Sequence, residues 1–400
     1  MIWMSVASPL AGDYKATRLR IGQTRNVAAE SPFRRFGNSM KRTVFYRILV
    51  LCLLLGGCAS PWSTKPIVKI GLVAPFEGRD RALGYEVLYA VKWAVGQRNQ
   101  AGGAAGYMIE LVALNDGALA EKSAFQARKF AADADLVGVI GPFSPDTLAA
   151  AAPLYDRLGL PLITPATCDA NSAHAFCLGA GGDTLAHALL ERAPDGAHPA
   201  CLRTRSGTFG DVLSASTQRV INLTAETNIR ELARHLYLSR MRPPNLYLYD
   251  GDALTAAELL IELRAIGAAD PFWGGPSLAR TSLPQIAGLA AAGTCYAITA
   301  PLFADLAPGS AFTAGYSERA AISPGPWAAL AYDATVLLLD ALERDIRANG
   351  APSRGGVALR LEELAGPDGA PIFEDRHRRQ ARVAIYCYRA GAAYPGYMER

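Results

Sequence analysis

From Ile67 to Thr164 the chain alternates short apolar runs with stretches of helical spacing, and this alternation constrains the fold more than any other feature. Ile67 to Ala74 is almost wholly apolar, as a strand buried on both faces must be. Gly84 to Arg98 then places Val87, Leu88, Val91, Ala94 and Val95 on one helical face, and Ala101-Gly102-Gly103 marks its end. Ile109–Asn115, Lys122–Ala132 and Leu136–Ile140 continue the alternation, Ser144-Pro145 opens a helix as N-cap and first residue, and Leu160–Thr164 reads as a fourth strand. Strand, helix, strand in this order predicts a right-handed parallel α/β sheet. A second series follows: strands at 200–203, 245–249, 271–274 and 295–299 and helices at 229–238 and 254–266, then a turn over 301–308, a long helix from Trp327 to Asn349 and a closing strand over 381–388.

Ahead of this pattern, Lys41, Arg42 and Arg47 precede an apolar run, Ile48 to Leu55, that stops at Gly56-Gly57-Cys58. The run is far shorter than the roughly 20 residues of a membrane-spanning helix, so the segment is expected to target rather than to span. Leu55-Gly56-Gly57-Cys58 resembles the lipobox of bacterial lipoproteins, which implies a lipid on Cys58 and a chain that works outside the cytoplasm, anchored in the cell envelope and facing the periplasm or exterior. Residues 1–39 sit awkwardly before such a signal, and Met40 is the expected start. The first 57 residues hold nine of the 40 Lys+Arg and two of the 36 Asp+Glu; the remaining 31 and 34 give a balance of −3 in place of +4. The basic surplus therefore belongs to the leader and argues against a nucleic-acid partner. Roughly 340 residues remain, more than one hydrophobic core usually serves, so two lobes are expected.

Once Cys52 leaves with the leader and Cys58 carries lipid, Cys168, Cys177, Cys201, Cys295 and Cys387 remain, and an odd number cannot all pair. Cys168 and Cys177 bracket a short polar loop that a disulfide would staple in an oxidising compartment; free thiols are the alternative. No Cys-x-x-Cys is present and the histidines show no ligand spacing, so neither a metal nor a cofactor is expected. Gly-x-Ser-x-Gly and Gly-x-Gly-x-x-Gly are both absent and no nucleophile–base pair stands out, which argues against an enzyme.

Several segments carry a family resemblance: Lys69 to Pro75, Ala101-Gly102-Gly103 ahead of Ile109-Glu110-Leu111, Val139 to Pro142, Leu160 to Ala166, and Ala329 to Ala334. In this order and at these intervals the chain resembles the type I periplasmic binding proteins, specifically the branched-chain amino-acid and amide receptors of ABC importers (leucine-binding-protein-like). The resemblance implies two Rossmann-like parallel-sheet lobes joined by three hinge crossovers. It further implies a leader and signal over 1–57, a tether over 58–65, lobe 1 from 66–183 and 301–350, and lobe 2 from 184–300 and 351–400. The expected partners are a small polar solute, ABC permease subunits and the membrane through Cys58. A non-transport envelope lipoprotein on the same fold, acting as a sensor or a protein-binding activator, is the alternative.

Site residues follow from the same resemblance. The loop after the third strand contributes Ser144 and Thr147, although Ser144 is equally an N-cap that happens to face the cleft. Pro145 removes one amide and Asp146 sets a negative charge at the helix start. After the fourth strand, Ala166 and Thr167 carry the contact if Cys168 is in a disulfide. Lobe 2 offers Phe209 as an apolar wall without a hydroxyl, and Ser277 stands where an acid would pair with an ammonium. Asp250 or Asp252 would then supply that charge from another loop. Arg79, Arg81, Arg203 and Arg205 fall on loops, where two readings stand, a solvated charge or one that faces the cleft, and in the second their guanidinium groups suit an acidic ligand.

Overall fold

The computed structural model describes residues 65–168, 172–204, 206–238, 244–366, 369–374, 379 and 381–389. The leader, the signal, Cys58, most of the tether and Arg205 lie outside the described residues.

Apolar runs become strands where the pattern places them, with ends that shift by one or two residues. The first series is β1 (Ile67–Ala74), α1 (Arg81–Gln100), β2 (Met108–Asn115), α2 (Ala120–Ala132), β3 (Leu136–Ile140), α3 (Pro145–Arg157), β4 (Leu162–Thr164) and β5 (Ala175–Cys177). Ser144 caps α3 by accepting the Thr147 amide on Oγ at 3.3 Å, and Pro145 takes the first helical position, where no amide is missed. All five strands are parallel, in the order β2-β1-β3-β4-β5. Every residue of β3 is buried, as a central parallel strand requires.

The second series is α4 (Gly182–Leu190), β6 (Pro199–Arg203), α5 (Thr208–Ala215), β7 (Arg219–Asn222), α6 (Ile229–Leu238), β8 (Leu246–Asp250), α7 (Ala253–Ala265), β9 (Phe272–Gly274), α8 (Ser282–Ala287) and β10 (Cys295–Thr299). There follow α9 (Ala311–Ala320), α10 (Pro326–Asn349), α11 (Arg354–Glu362) and β11 (Val383–Cys387). The second sheet runs β7-β6-β8-β9-β10 with the same winding as the first, and β11 is added antiparallel to β10 at its edge. One apolar core runs through both sheets between α1, α10, α6, α7 and α8, and smaller clusters lie under α2 and α3 on the first sheet and under α4 and α5 on the second. Fully burying a Leu or Phe side chain contributes about 1.5–3 kcal/mol, so these layers supply the main stabilisation.

Residues 351–400 do not all join the second lobe, as the family pattern suggested. Helix α11 packs on α10 and β3, and the Arg354 guanidinium donates to the carbonyls of Ala131, Asp133 and Leu136. Among the described residues of this stretch, only β11 belongs to the second sheet. Gly356 makes the docking of α11 possible, because a Cβ there would meet Asp345 Oδ1 at 1.8 Å.

The chain passes between the sheets near Cys177–Ala180, Thr299–Leu302 and Arg379–Arg382, and hydrogen bonds tie the three passages together. Ala180 N donates to Thr299 Oγ1 at 2.8 Å, Ala300 N to the Arg382 carbonyl at 2.8 Å, and Arg379 N to the Cys177 carbonyl at 3.0 Å. The Arg379 guanidinium donates to the Ala300 carbonyl, and the buried Asp333 carboxylate accepts the amides of Leu302, Phe303 and Ala304. Burial raises Asp333 to about 6 in spite of these amides and of the nearby Arg379 charge.

Candidate functional site

In a doubly wound sheet the winding reverses at one point, and the loops on either side of it diverge and leave a crevice at the carboxyl ends of the strands. In the first sheet this point lies between β1 and β3, in the second between β6 and β8. Loops from both places line one cavity of about 130 Å³, a volume suited to a small solute. From the first sheet come Phe143 to Asp146 after β3 and Ala166-Thr167 after β4; from the second come Ser206 to Phe209 after β6, Asp250 at the end of β8, and Gly275 to Ser277 with Arg280 after β9. Trp327 of α10 and Leu185 of α4 complete the wall.

Six of the expected residues thus converge: Ser144, Ala166, Thr167, Phe209, Asp250 and Ser277. Two do not. Thr147 is buried beneath Ser144, donating its hydroxyl to the Ser144 carbonyl at 3.0 Å and its amide to Ser144 Oγ, so it positions the loop without lining the cavity. Asp252 is exposed and caps α7, accepting the amides of Leu254 and Thr255, each at 3.0 Å. Ala166 lines the cavity, but its amide already donates to Thr164 Oγ1 at 3.0 Å and is not free for a solute. Thr164 also donates to the Pro142 carbonyl at 2.6 Å, which joins the loops after β3 and β4.

Of the four arginines expected near the site, Arg79 and Arg81 are exposed and away from the cavity, and Arg205 is outside the described residues. Arg203 is half-buried and does not line the cavity, donating to Asp211 Oδ1 at 2.8 Å and to Ser214 Oγ at 3.2 Å. Arg203 and Asp250 are register partners on β6 and β8, and both side chains press on Gly210, where a Cβ would meet Asp250 Oδ2 at 2.2 Å and Arg203 Nη2 at 3.2 Å.

The arginine that does line the cavity is Arg280, which sequence reasoning missed. Its Nη1 lies 2.5 Å from Asp80 Oδ1 in the loop after β1, a contact from the second lobe to the first. Two more first-lobe acids feel this charge. Asp116, after β2, is raised by burial against the pull of the Ala118 amide and Arg280. Glu86, on α1, is raised by burial to about 7 although its Oε1 accepts the Ala328 amide at 3.1 Å and Arg280 lies near. The aromatic wall was also hidden from the sequence: Trp327 meets Phe143 edge to face with ring centroids 6.2 Å apart. Phe209 is seated by two glycines, since a Cβ on Gly182 would reach its backbone nitrogen at 2.7 Å and one on Gly275 its ring at 3.0 Å.

Cys168 and Cys177 form a disulfide that fixes the segment after Thr167. A second disulfide, Cys295–Cys387, joins directly opposed residues of β10 and β11, and Cys201 is a buried free thiol.

Two sheets of one parallel winding, three passages between them and a cavity at both switch points define the type I periplasmic-binding-protein fold. More particularly, residues 67–224 match the model of the periplasmic binding protein family, and the structural neighbours of the chain include the leucine/isoleucine/valine-binding proteins of ABC transporters. The substrate-binding protein LivJ of the branched-chain amino acid transporter from Streptococcus pneumoniae, crystallised with isoleucine, is 21% identical with a TM-score of 0.69 over 82% of this chain and 97% of that one. The leucine-binding protein LivK from Thermotoga maritima is 20% identical, also with a TM-score of 0.69 and the same coverage, 82% and 97%. A solute-binding protein of an ABC transporter from R. palustris, in complex with benzoate, is 17% identical with a TM-score of 0.64 over 83% of this chain and 98% of that one. No curated protein matches the chain in sequence.

Proposed function

We propose that this chain is an extracytoplasmic solute-binding lipoprotein of an ABC importer, which captures a small polar solute, an amino acid, an amide or a related acid, by closing two lobes around it. The observation that carries this reading is the single cavity shared by the switch points of both sheets. A solute held there touches both lobes at once, so its affinity for the closed arrangement is what drives closure. Ser144 and Thr167 offer hydroxyls from the first lobe, Ser277 and Asp250 offer polar groups from the second, and Phe209 supplies an apolar wall. The two disulfides favour an oxidising compartment, in line with the lipobox-like Leu55 to Cys58. Isoleucine and benzoate in the related structures support a solute of this size.

Thermal unfolding of the purified protein against a panel of amino acids, amides and carboxylates tests the reading. A solute at about a hundred times its dissociation constant stabilises the bound state by about 2.7 kcal/mol, a clear rise in midpoint. If no small solute raises the midpoint and none co-purifies with the protein, the proposal fails. Anchoring is tested separately: Cys58→Ala is expected to move the chain from the membrane fraction to the soluble one.

A further inference from the structure

We infer that Arg280 and Asp80 are positioning residues that act as a latch: an ion pair across the cleft that forms only when the lobes meet and sets solute affinity by favouring closure. The inference rests on the reading of the cavity as a solute site. The partners come from different sheets, Asp80 from the loop after β1, directly before α1, and Arg280 from the segment after β9. Each is anchored to its own lobe. The Asp80 carbonyl accepts the amides of Leu83 and Gly84 in the first turn of α1, and the Tyr388 hydroxyl is shared between the carbonyls of Leu278 and Arg280 at 2.6 and 3.3 Å. Arg280 Nη1 then reaches Asp80 Oδ1 at 2.5 Å, a contact that exists only while the lobes stand together. By contrast, Arg98 with Asp340, Arg203 with Asp211 and Arg230 with Glu262 each pair within one lobe and are indifferent to closure.

The Arg280 side chain is 11% exposed and that of Asp80 30%, so the pair is largely withdrawn from water and is screened less than a pair on an open surface. Nη1 is enclosed without an aligned hydrogen-bond acceptor, so the attraction is of charge to charge, and an amide in place of the carboxylate does not replace it. Asp116 and Glu86 also lie near Arg280, but burial favours the neutral form of both, which leaves Asp80 to answer the guanidinium. The two partners also differ in what they touch: Arg280 lines the cavity and Asp80 does not. Asp80 can therefore reach the solute only through Arg280 or through closure, and this separates a latch from a direct solute contact.

Calorimetry and stopped-flow release test the latch with isoleucine and benzoate, the molecules held in the related structures, and with the most stabilising solute of the thermal panel. Asp80→Asn and Arg280→Met are each expected to weaken binding roughly tenfold, mainly through faster release, because the pair forms at closure. The double variant is expected to bind no more weakly than either single one, and added salt to weaken the wild type more than Asp80→Asn. X-ray scattering of the solute-free proteins completes the test, since a wild type that is already closed shows the loss as expansion of the variants in place of weaker binding. Neither weaker binding nor expansion, additive single effects, or tighter binding of a carboxylate by Asp80→Asn overturns the latch while the solute-binding function stands. If no solute binds, that function falls and scattering alone decides the latch: expansion of both variants keeps it, and equal size ends it.

Discussion

Thr164 carries two jobs on one hydroxyl, donating to Pro142 and accepting from Ala166 inside the first lobe. Thr164→Val keeps the shape but orphans a buried carbonyl and a buried amide, at an expected cost of about 1–3 kcal/mol in urea unfolding. Gly182→Ala is expected to displace Phe209, because the new methyl would press on its backbone, and so to weaken solute binding more than it lowers the midpoint. Ser144 was legible in the sequence because a cap is a local motif, read from Ser-Pro and three residues of context. Arg280 and Trp327 were not, since each reaches the cavity from an element distant in sequence from the loops it meets. Asp252 misled for the opposite reason: an acid after a strand is as good a helix cap as a ligand, and here the cap won.

At the level of elements, β1, β3, α6 and β10 have the limits that their periodicity predicted. The short helices α4, α5, α8 and α11 went unread; glycines in α4, α5 and α11 and the six-residue length of α8 leave little periodic signal, and packing supplies what propensity lacks. Strand β7 is a four-residue edge with alternating partial burial, below what apolar counting detects. The Cys168–Cys177 pairing was readable from a short loop, but Cys295–Cys387 spans 92 positions and follows only from knowing that β11 runs antiparallel to β10. Loop-closure entropy then sets an expectation: replacing Cys295 and Cys387 by Ser is expected to cost about 2 kcal/mol more than replacing Cys168 and Cys177, with a separation of 92 against 9. Paired urea titrations of the two double variants check it.

Across the whole molecule, two buried carboxyls tie stability to pH. Glu86 and Asp333 sit at about 7 and about 6 in the folded protein, against roughly 4 in an unfolded chain. The folded state therefore holds protons that the unfolded state has released, and stability from these groups is fullest below about pH 4, falls as pH rises, and levels off above about 7. Glu86→Gln is expected to flatten the upper part of this fall, by about 3 kcal/mol between pH 4 and 8 relative to wild type in thermal or urea unfolding; an unchanged slope would show that Glu86 is ionised when buried. Both groups hold loops and helices of the first lobe, Asp333 at a passage between lobes, so the same titration bears on the hinge. One edge of the second sheet is closed from far along the chain: β11 pairs with β10, and Cys387 on it locks to Cys295. Without β11 the outer backbone groups of β10 would stand unpaired, an open border to which a strand of another molecule could add, so β11 and its disulfide also guard the sheet against edge-to-edge association.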